Sequence, residues 1–142
     1  DMDTYFDTLA IDPLDHESNE LFRLIHLILR KGGTDIHLHH QGSFSSLSYR
    51  IQGDLQQLKK ISSSEHQLLV ELVKYHSHMD VSIANQPQDG HFTIPFQSST
   101  IDVRAASLPT GLGEDISLRL FVPEHDHFDL TKLGFSLPTE SI

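Results

Sequence analysis

The chain has 142 residues, 37% of them hydrophobic, which is enough for one globular domain with a sizeable core. Its 20 acidic and 10 basic residues give a net charge of −10. This disfavours non-specific binding to nucleic acids or anionic membranes, because both require a basic face. The absence of cysteine excludes disulfides and thiolate metal sites and fits a reducing compartment.

The chain divides into three parts by composition. Residues 1–16 are acidic, so we predict a loosely ordered lead-in, and they lack the basic start of a secretory signal. Residues 17–123 contain the periodic apolar patterns and are expected to form the folded domain. Residues 124–142 are polar and are expected to form a linker toward a further unit.

A first helix is predicted from apolar residues at helical spacing, namely Leu21, Leu24, Ile25 and Ile28. This apolar stretch is too short to span a bilayer, and charged residues interrupt it. Gly32 and Gly33 follow and are expected to end the helix, since glycine is the usual residue just beyond a helix C-terminus.

Two strands and a second helix come next. The segments TDIHLHH and SLSYRIQG alternate with period two and are joined by the turn-rich QGSFSS, which predicts a hairpin. Ser62 and Glu65 have the spacing of a capping box, so a helix is expected to begin there. One face of that helix would carry Leu68, Leu69, Leu72 and Val73.

Three further strands complete the domain. The segment PQDG, with Pro87, Asp89 and Gly90 as its turn-shaping residues, is predicted to form a turn before the strand HFTIPF. Pro95 places that strand at a sheet edge or a bulge. The strands IDVRAASL and EDISLRLFV follow, with PTGLG between them. The order of helix, two strands, helix and three strands predicts an α+β domain, a mostly antiparallel sheet with helices packed on it.

No catalytic centre is identifiable within this chain alone. The phosphate-binding pattern GxxxxGK[ST] is absent. The segment GLGED at 111–115 lacks the lysine and hydroxyl residue of that pattern, so we interpret it as a hairpin turn. The patterns GxSxG and HExxH are absent as well.

Three HxH pairs raise the question of a metal site. His37 and His39 would point to one face of a strand, which is a workable half-site for zinc. The pair at 76 and 78 would not share a face on a helix, and the third pair lies at 125 and 127. No third ligand is identifiable, so we favour surface histidines and predict no metal.

Arg104 and Arg119 each interrupt an otherwise apolar strand. Alternation would place Val103 and Ala105 on one face and Arg104 on the other. Such an arginine is either solvated or paired with an acid such as Asp102 or Asp89, or it recognises a phosphate through its planar guanidinium fork. Spacing alone leaves both interpretations open.

Five ordered segments together resemble one family: GGTDIHLHH, YRIQG, PQDGHFTI, IDVRAASLPTGLGEDISLRLF and LTKLGF. They are similar to the domain that precedes the motor core in type II secretion and type IV pilus assembly ATPases. The match covers about residues 18–136 in the same order and at similar spacing. PQDG followed by DVRAASLP and then by GEDISLRL is a specific combination.

The resemblance implies a PAS-like α+β domain in a protein that assembles as a homo-hexamer. It also implies ATP and Mg²⁺ for the parent protein, bound mainly by a P-loop core that would begin after this chain. The implied partners are that core and an inner-membrane platform protein, with no nucleic acid. The implied location is cytoplasmic, peripheral to the bacterial inner membrane.

The resemblance also implies which residues approach the nucleotide. The family's phosphate-facing arginines correspond here to Arg104, Arg119 and Arg50, and a fourth corresponds to His91. Such residues would neutralise the charge that builds on the γ-phosphate. Histidine is a weaker substitute for arginine there, because its unperturbed pKa leaves it mostly neutral at pH 7.

This chain departs from the family pattern at several other positions. Ala84 and Asn85 replace a basic pair, Asp115 replaces a lysine and His39 replaces an acid. We interpret the chain as a divergent member of that family. The alternative, from another functional class, is a PAS-like sensor or interaction domain that binds a small molecule or a cyclic dinucleotide.

Overall fold

The computed structural model describes residues 19–123. They form two helices and a single six-stranded sheet of strand order β3-β2-β1-β6-β5-β4, in which all neighbouring strands are antiparallel. The elements in chain order are α1 Glu20–Arg30, β1 Asp35–His40, β2 Phe44–Ile51, β3 Asp54–Ser62, α2 Ser63–His76, β4 Gln88–Phe96, β5 Ser99–Pro109 and β6 Glu114–Phe121. The predicted α+β class is confirmed. The predicted lead-in and linker lie outside the described residues.

Helix α1 is capped at both ends, and it ends where the sequence predicts. The Asn19 side chain accepts hydrogen bonds from the backbone N–H groups of Leu21 and Phe22, which caps the N-terminus. Gly32 has a φ of 82°, and its N–H and that of Gly33 bond back to carbonyls of the last turn. This is a glycine-terminated C-cap, and the end predicted at Gly32–Gly33 is confirmed.

Helix α2 begins at the predicted capping box. The Ser62 side chain accepts a hydrogen bond from the Glu65 backbone N–H, and the Glu65 side chain accepts one from the Ser62 backbone. Leu69, Leu72 and Val73 are buried, and Leu68 packs against the core from a partly buried position. The predicted apolar face is therefore confirmed.

The predicted count of two strands before α2 is wrong, because β3 also lies there. Its sequence, DLQQLKKIS, is mostly polar, and nearly all of its side chains are exposed. Such a strand lacks the alternation of a half-buried strand, since only Ile61 is buried and Leu58 packs against the core from a partly buried position. The exposed lysines Lys59 and Lys60 lie on this outermost strand and discourage pairing with another chain.

The turn predicted at PQDG is also wrong in its placement. Asp89 and Gly90 lie within β4, paired with Ala106 and Ala105 of β5, and Pro87 lies just before the strand. Gly90 is required by packing, because a Cβ added there would lie 2.3 Å from the Ser77 carbonyl oxygen. Its role is to let β4 approach the end of α2.

Strand β4 forms the other edge of the sheet, which confirms the position inferred from Pro95. The segment GLGED contains the turn between β5 and β6, closed by a 2.6 Å hydrogen bond from Thr110 N–H to the Gly113 carbonyl. The prediction of a hairpin turn there is confirmed.

Both helices pack on one face of the sheet. Phe22 of α1 stacks on Phe92 of β4 with ring centroids 5.7 Å apart, and the core joins both helices to all six strands. Neither of the two helices within residues 19–123 has the length and hydrophobicity of a transmembrane span. The face of the sheet opposite the helices, which we call the open face, carries the polar side chains of the central strands.

Candidate functional site

The four residues that the resemblance implicates in phosphate contact lie in one row across the open face. Arg50 pairs with Asp35, Asp35 pairs with Arg119, Arg119 pairs with Arg104, and Arg104 pairs with His91. Partners directly opposite one another in an antiparallel pair project to the same face. Sheet register therefore brings together residues from five strands, and Asp35 is a member that sequence reasoning missed.

Arg104 projects from β5 away from the core, as alternation predicted. Val103 and Ala105 on either side of it are buried, whereas the Arg104 side chain is 62% exposed. Its Nε donates a 2.9 Å hydrogen bond to Asp102, and its guanidinium lies 5.8 Å from the Phe121 ring centroid. The acid pairing is thus present, but so exposed an ion pair contributes only about 0–1 kcal/mol to stability.

Arg119 is held by a different kind of acid. Its Nε donates a 3.0 Å hydrogen bond to Asp35, whose side chain is only 9% exposed, while Arg119 is 64% exposed. Burial by itself raises the pKa of the Asp35 carboxyl. Hydrogen bonds from Thr34 and Arg119, with the Arg119 charge and a smaller effect of His37, outweigh burial and hold that pKa below its usual value.

The two ends of the row differ in how they are held. Arg50 lies on β2, and its Nη1 donates a 2.8 Å hydrogen bond to the Gly53 carbonyl in the following turn. His91 is exposed on the edge strand β4, opposite Arg104. Arg104 and Arg119 are the two members that face each other directly with the same charge.

A shallow depression of about 480 Å³ lies along this row. Its floor includes Ala106 and Ser117, which are small and pair with each other. Asp35, His37, Asp89, His91, Arg104 and Arg119 are among its lining residues. Two exposed guanidinium groups beside small floor residues suit an anion with several acceptor oxygens, because a guanidinium fork binds such oxygens in pairs.

The histidine pairs form no such cluster. His37 and His39 lie on the open face as predicted, but His37 lies 3.3 Å from Ser117 Oγ and His39 lies 2.7 Å from Asp115. His76 ends α2 and His78 follows it in the left-handed region, while the pair at 125 and 127 lies outside the described residues. Across residues 19–123, no group of three or more His, Cys, Asp or Glu side chains could hold a metal ion.

Two of the departures from the family pattern are in contact with each other. His39 Nδ1 lies 2.7 Å from Asp115 Oδ2, and the other carboxylate oxygen of Asp115 accepts a 2.9 Å hydrogen bond from the His40 N–H. The resemblance places an acid at 39 and a lysine at 115. Compared with that pattern, the acid has moved from position 39 on β1 to position 115 on β6, and a histidine takes the place of the acid at 39. The two changes therefore preserve a contact between the two strands.

A buried polar group behind the sheet was not foreseen. The His66 ring on α2 lies 2.7 Å from both Ser45 Oγ and the Glu114 carbonyl. Nε2 must carry the proton, since a carbonyl oxygen only accepts, and Nδ1 accepts from the Ser45 hydroxyl. Lys74 on α2 forms a 2.6 Å ion pair with the Glu114 carboxylate. A buried lysine on an apolar helix face was the available sequence signal.

The pH dependence of stability follows from His66. Burial is the main cause that lowers the pKa of His66 below its ordinary 6.5, although the Glu114 carbonyl opposes it. At a pH between the lowered pKa of His66 in the folded chain and its ordinary pKa in the unfolded chain, the unfolded chain binds more protons than the folded chain. The free energy of unfolding should therefore have its full value above about pH 6.5. It should decrease as the pH falls below 6.5, by up to about 1.4 kcal/mol per pH unit.

Urea unfolding of the chain at pH 7.5, 6.5 and 5.5 measures this slope. We expect His66→Gln to flatten it, and the control His78→Asn, at an exposed position with positive φ, to retain it. An equal slope in wild type and His66→Gln would show that His66 is not its source.

The family of type II/IV secretion system proteins matches the chain over residues 16–141. The chain is 29% identical over 126 residues to type II secretion system protein E of Aeromonas hydrophila, covering 86% of this chain and 25% of that relative. It is 30% identical over 130 residues to the protein E of Dickeya dadantii, covering 88% and 26%. It is 29% identical over 108 residues to type II secretion system ATPase E of Vibrio cholerae, covering 76% and 22%.

The chain thus spans about a quarter of the length of these relatives. The family match covers the whole of the described domain, including every strand that contributes to the row on the open face. The chain belongs to the type II/IV secretion system protein family.

Proposed function

We propose that this chain is the nucleotide-contacting, ring-forming domain of a hexameric secretion or type IV pilus assembly ATPase. In this function the open face supplies arginine contacts to ATP, which is bound with Mg²⁺ mainly by a P-loop core outside these 142 residues. The observation that carries the proposal is the row of Arg50, Arg119, Arg104 and His91 on one face. Membership in the family and the similarity to a secretion ATPase support it.

The physical argument concerns Arg104 and Arg119. Like charges directly opposite on adjacent strands destabilise a sheet. A polyphosphate placed between them would replace that repulsion by charge-assisted hydrogen bonds. Phosphoryl transfer spreads negative charge over the γ-phosphate oxygens, and positioned guanidinium groups stabilise that charge more in the transition state than in the ground state.

The proposal also assigns a mechanical role. Closure of this domain over the core around bound ATP, and its opening after hydrolysis, would couple the nucleotide cycle to rigid-body motion. The partners would be copies of the same protein in a ring, the core of the same chain, and an inner-membrane platform protein. The site of action would be the cytoplasmic side of the inner membrane. His91 in place of an arginine would make such a member slower in hydrolysis.

Arg119→Ala in the full-length product of the gene that encodes this chain tests the function. Loss of a positioned guanidinium is expected to lower kcat for ATP hydrolysis about 100-fold, with a smaller change in KM. Steady-state phosphate release measures both constants. The control Arg23→Ala changes an exposed arginine on α1 and should leave kcat unaffected. Wild-type kcat in Arg119→Ala would contradict the proposed contact.

A second candidate function, small-molecule sensing, is favoured by a different feature. A groove of about 790 Å³ separates α1, α2 and the strands β2 and β3, and its apolar lining includes Leu24, Leu27, Leu58 and Leu68. That volume is within the range of ligand pockets. Calorimetry of the chain against ATP and cyclic di-GMP separates the two functions. Micromolar binding by the chain alone would favour a sensor, whereas the ATPase function predicts that the core is needed.

A further inference from the structure

Asp35 differs from the other charged residues of the open-face row in its burial. Arg104 and Arg119 are each more than 60% exposed, whereas the Asp35 side chain is 9% exposed. It lies at the start of β1, which is paired on both sides, so its backbone belongs to the interior of the sheet. A carboxylate in such a place is hydrogen-bonded by protein groups rather than by water.

Both carboxylate oxygens of Asp35 have separate donors. Thr34 Oγ1 donates a 2.7 Å hydrogen bond to Oδ1, and Arg119 Nε donates a 3.0 Å hydrogen bond to Oδ2. The two donors, one just before β1 and one on β6, fix the rotation of the carboxylate. Because the bond to Arg119 uses Nε, the two terminal amino groups of the guanidinium remain for another acceptor. Asp35 is the hydrogen-bond acceptor of the Arg119 side chain within the part of the chain described.

Stability is only one consequence of this pair. Arg119 is 64% exposed, so solvent screens its side of the ion pair. The hydrogen bonds from Thr34 and Arg119 offset the cost of withdrawing the Asp35 carboxylate from water. The clear consequence of the pair is that a long, flexible side chain is held in one orientation beside Arg104, before any ligand binds.

We propose that Asp35 is a positioning residue for the nucleotide site: it holds the Arg119 guanidinium so that its terminal amino groups face a bound polyphosphate. This rests on the proposed function, and it adds a residue that does not touch the nucleotide. Holding the guanidinium in advance removes the cost of ordering it during the reaction. Asp35 therefore acts through Arg119 and has no effect of its own on the chemical step.

The test is a double-mutant cycle on ATP hydrolysis by the full-length protein, with Asp35→Asn, Arg119→Ala and both together. Asp35→Asn keeps the size of the side chain but removes its charge. We expect it to lower kcat about tenfold with KM for ATP changed less than about twofold, as for a misplaced catalytic group. In the Arg119→Ala background the same change should have no further effect on kcat.

The cycle separates the possible failures. A decrease in kcat from Asp35→Asn that is equal in both backgrounds would show a merely structural role and overturn the inference. Wild-type kcat in Asp35→Asn, with a large loss in Arg119→Ala, would overturn the inference and leave the proposed function intact. No loss in Arg119→Ala would contradict the proposed function itself.

Two further variants keep the test independent of folding. Thr34→Val preserves the charge of Asp35 and removes only the hydroxyl donor, so it should lower kcat in the same direction but less. The control Asp54→Asn removes an exposed carboxylate at the start of β3 and should leave kcat and KM unchanged. A decrease in kcat of the same size in Asp54→Asn would show that the effect at Asp35 comes from the change in net charge, and it would overturn the inference.

Discussion

Replacing Lys74 by methionine is expected to lower the free energy of unfolding by about 3–5 kcal/mol. Lys74 Nζ lies 2.6 Å from a Glu114 carboxylate oxygen and also donates a 2.6 Å hydrogen bond to the Ile83 carbonyl. The side chains are 1% and 9% exposed. Without the ammonium group, the Glu114 carboxylate would remain in the interior with no opposite charge. The loss of stability then reflects the uncompensated cost of withdrawing this carboxylate from water.

Urea unfolding of the chain measures the loss, with two comparisons. The double variant Lys74→Met/Glu114→Gln removes both charges and should recover a large part of the stability lost in Lys74→Met, because no charge is then left buried. The control Lys59→Met replaces an exposed lysine of β3 and should change stability by less than about 0.5 kcal/mol. A loss below about 1 kcal/mol in Lys74→Met would contradict the argument.

The pair also matters for the open face. Glu114 is the first residue of β6, and its carbonyl accepts the hydrogen bond from His66 while its side chain pairs with Lys74. Both contacts attach the start of β6 to α2. Since Arg119 lies further along β6, the buried pair helps to fix the strand that presents it on the opposite side of the sheet.

The proposed function predicts that replacing Arg104 by alanine produces the largest loss of activity, about 10³-fold in kcat for ATP hydrolysis by the full-length protein. Arg104 lies between Arg119 and His91 in the row, so both neighbouring strands place a candidate phosphate contact beside it. Its Nε–Asp102 bond leaves the terminal amino groups facing solvent, with the side chain 62% exposed. That arrangement suits a group that acts on a ligand arriving from outside the domain.

Steady-state ATP hydrolysis measures kcat, and folding and assembly of the variant are checked alongside it. Arg104→Lys keeps the charge but not the planar fork, so it should recover only part of kcat. The free energy of unfolding of the chain should change by less than about 1 kcal/mol in Arg104→Ala, because Arg104 and Asp102 form an exposed pair. Unchanged hydrolysis with normal assembly in Arg104→Ala would remove Arg104 from the nucleotide site.

Local signals in the sequence were sufficient for the helices. The cap at Ser62 and Glu65 and the end of α1 at Gly32 depend on residues within a few positions of each other, so the sequence contains the whole interaction. Strand β3 was missed for the opposite reason. Its polar residues are stabilised by pairing with β2, and that pairing has no counterpart in its own periodicity.

The turn predicted at PQDG shows where composition misleads. Proline, aspartate and glycine together are typical of turns. In this fold Gly90 is needed because β4 passes against the Ser77 carbonyl at the end of α2, a contact between separate elements. A glycine required by close approach and a glycine required by a turn look the same in one sequence.

The sequence by itself determined the α+β class, the end of α1, the capped start of α2, the outward position of Arg104 and, through ordered motifs, the family. These follow from short-range spacing and from motif order. Only the tertiary structure decided that Arg50, Arg119, Arg104 and His91 form one row, because strand register is set by pairing between distant segments. It likewise decided that Asp35 holds Arg119 and that Lys74 meets Glu114, since each pair joins separate elements through contacts that no spacing encodes.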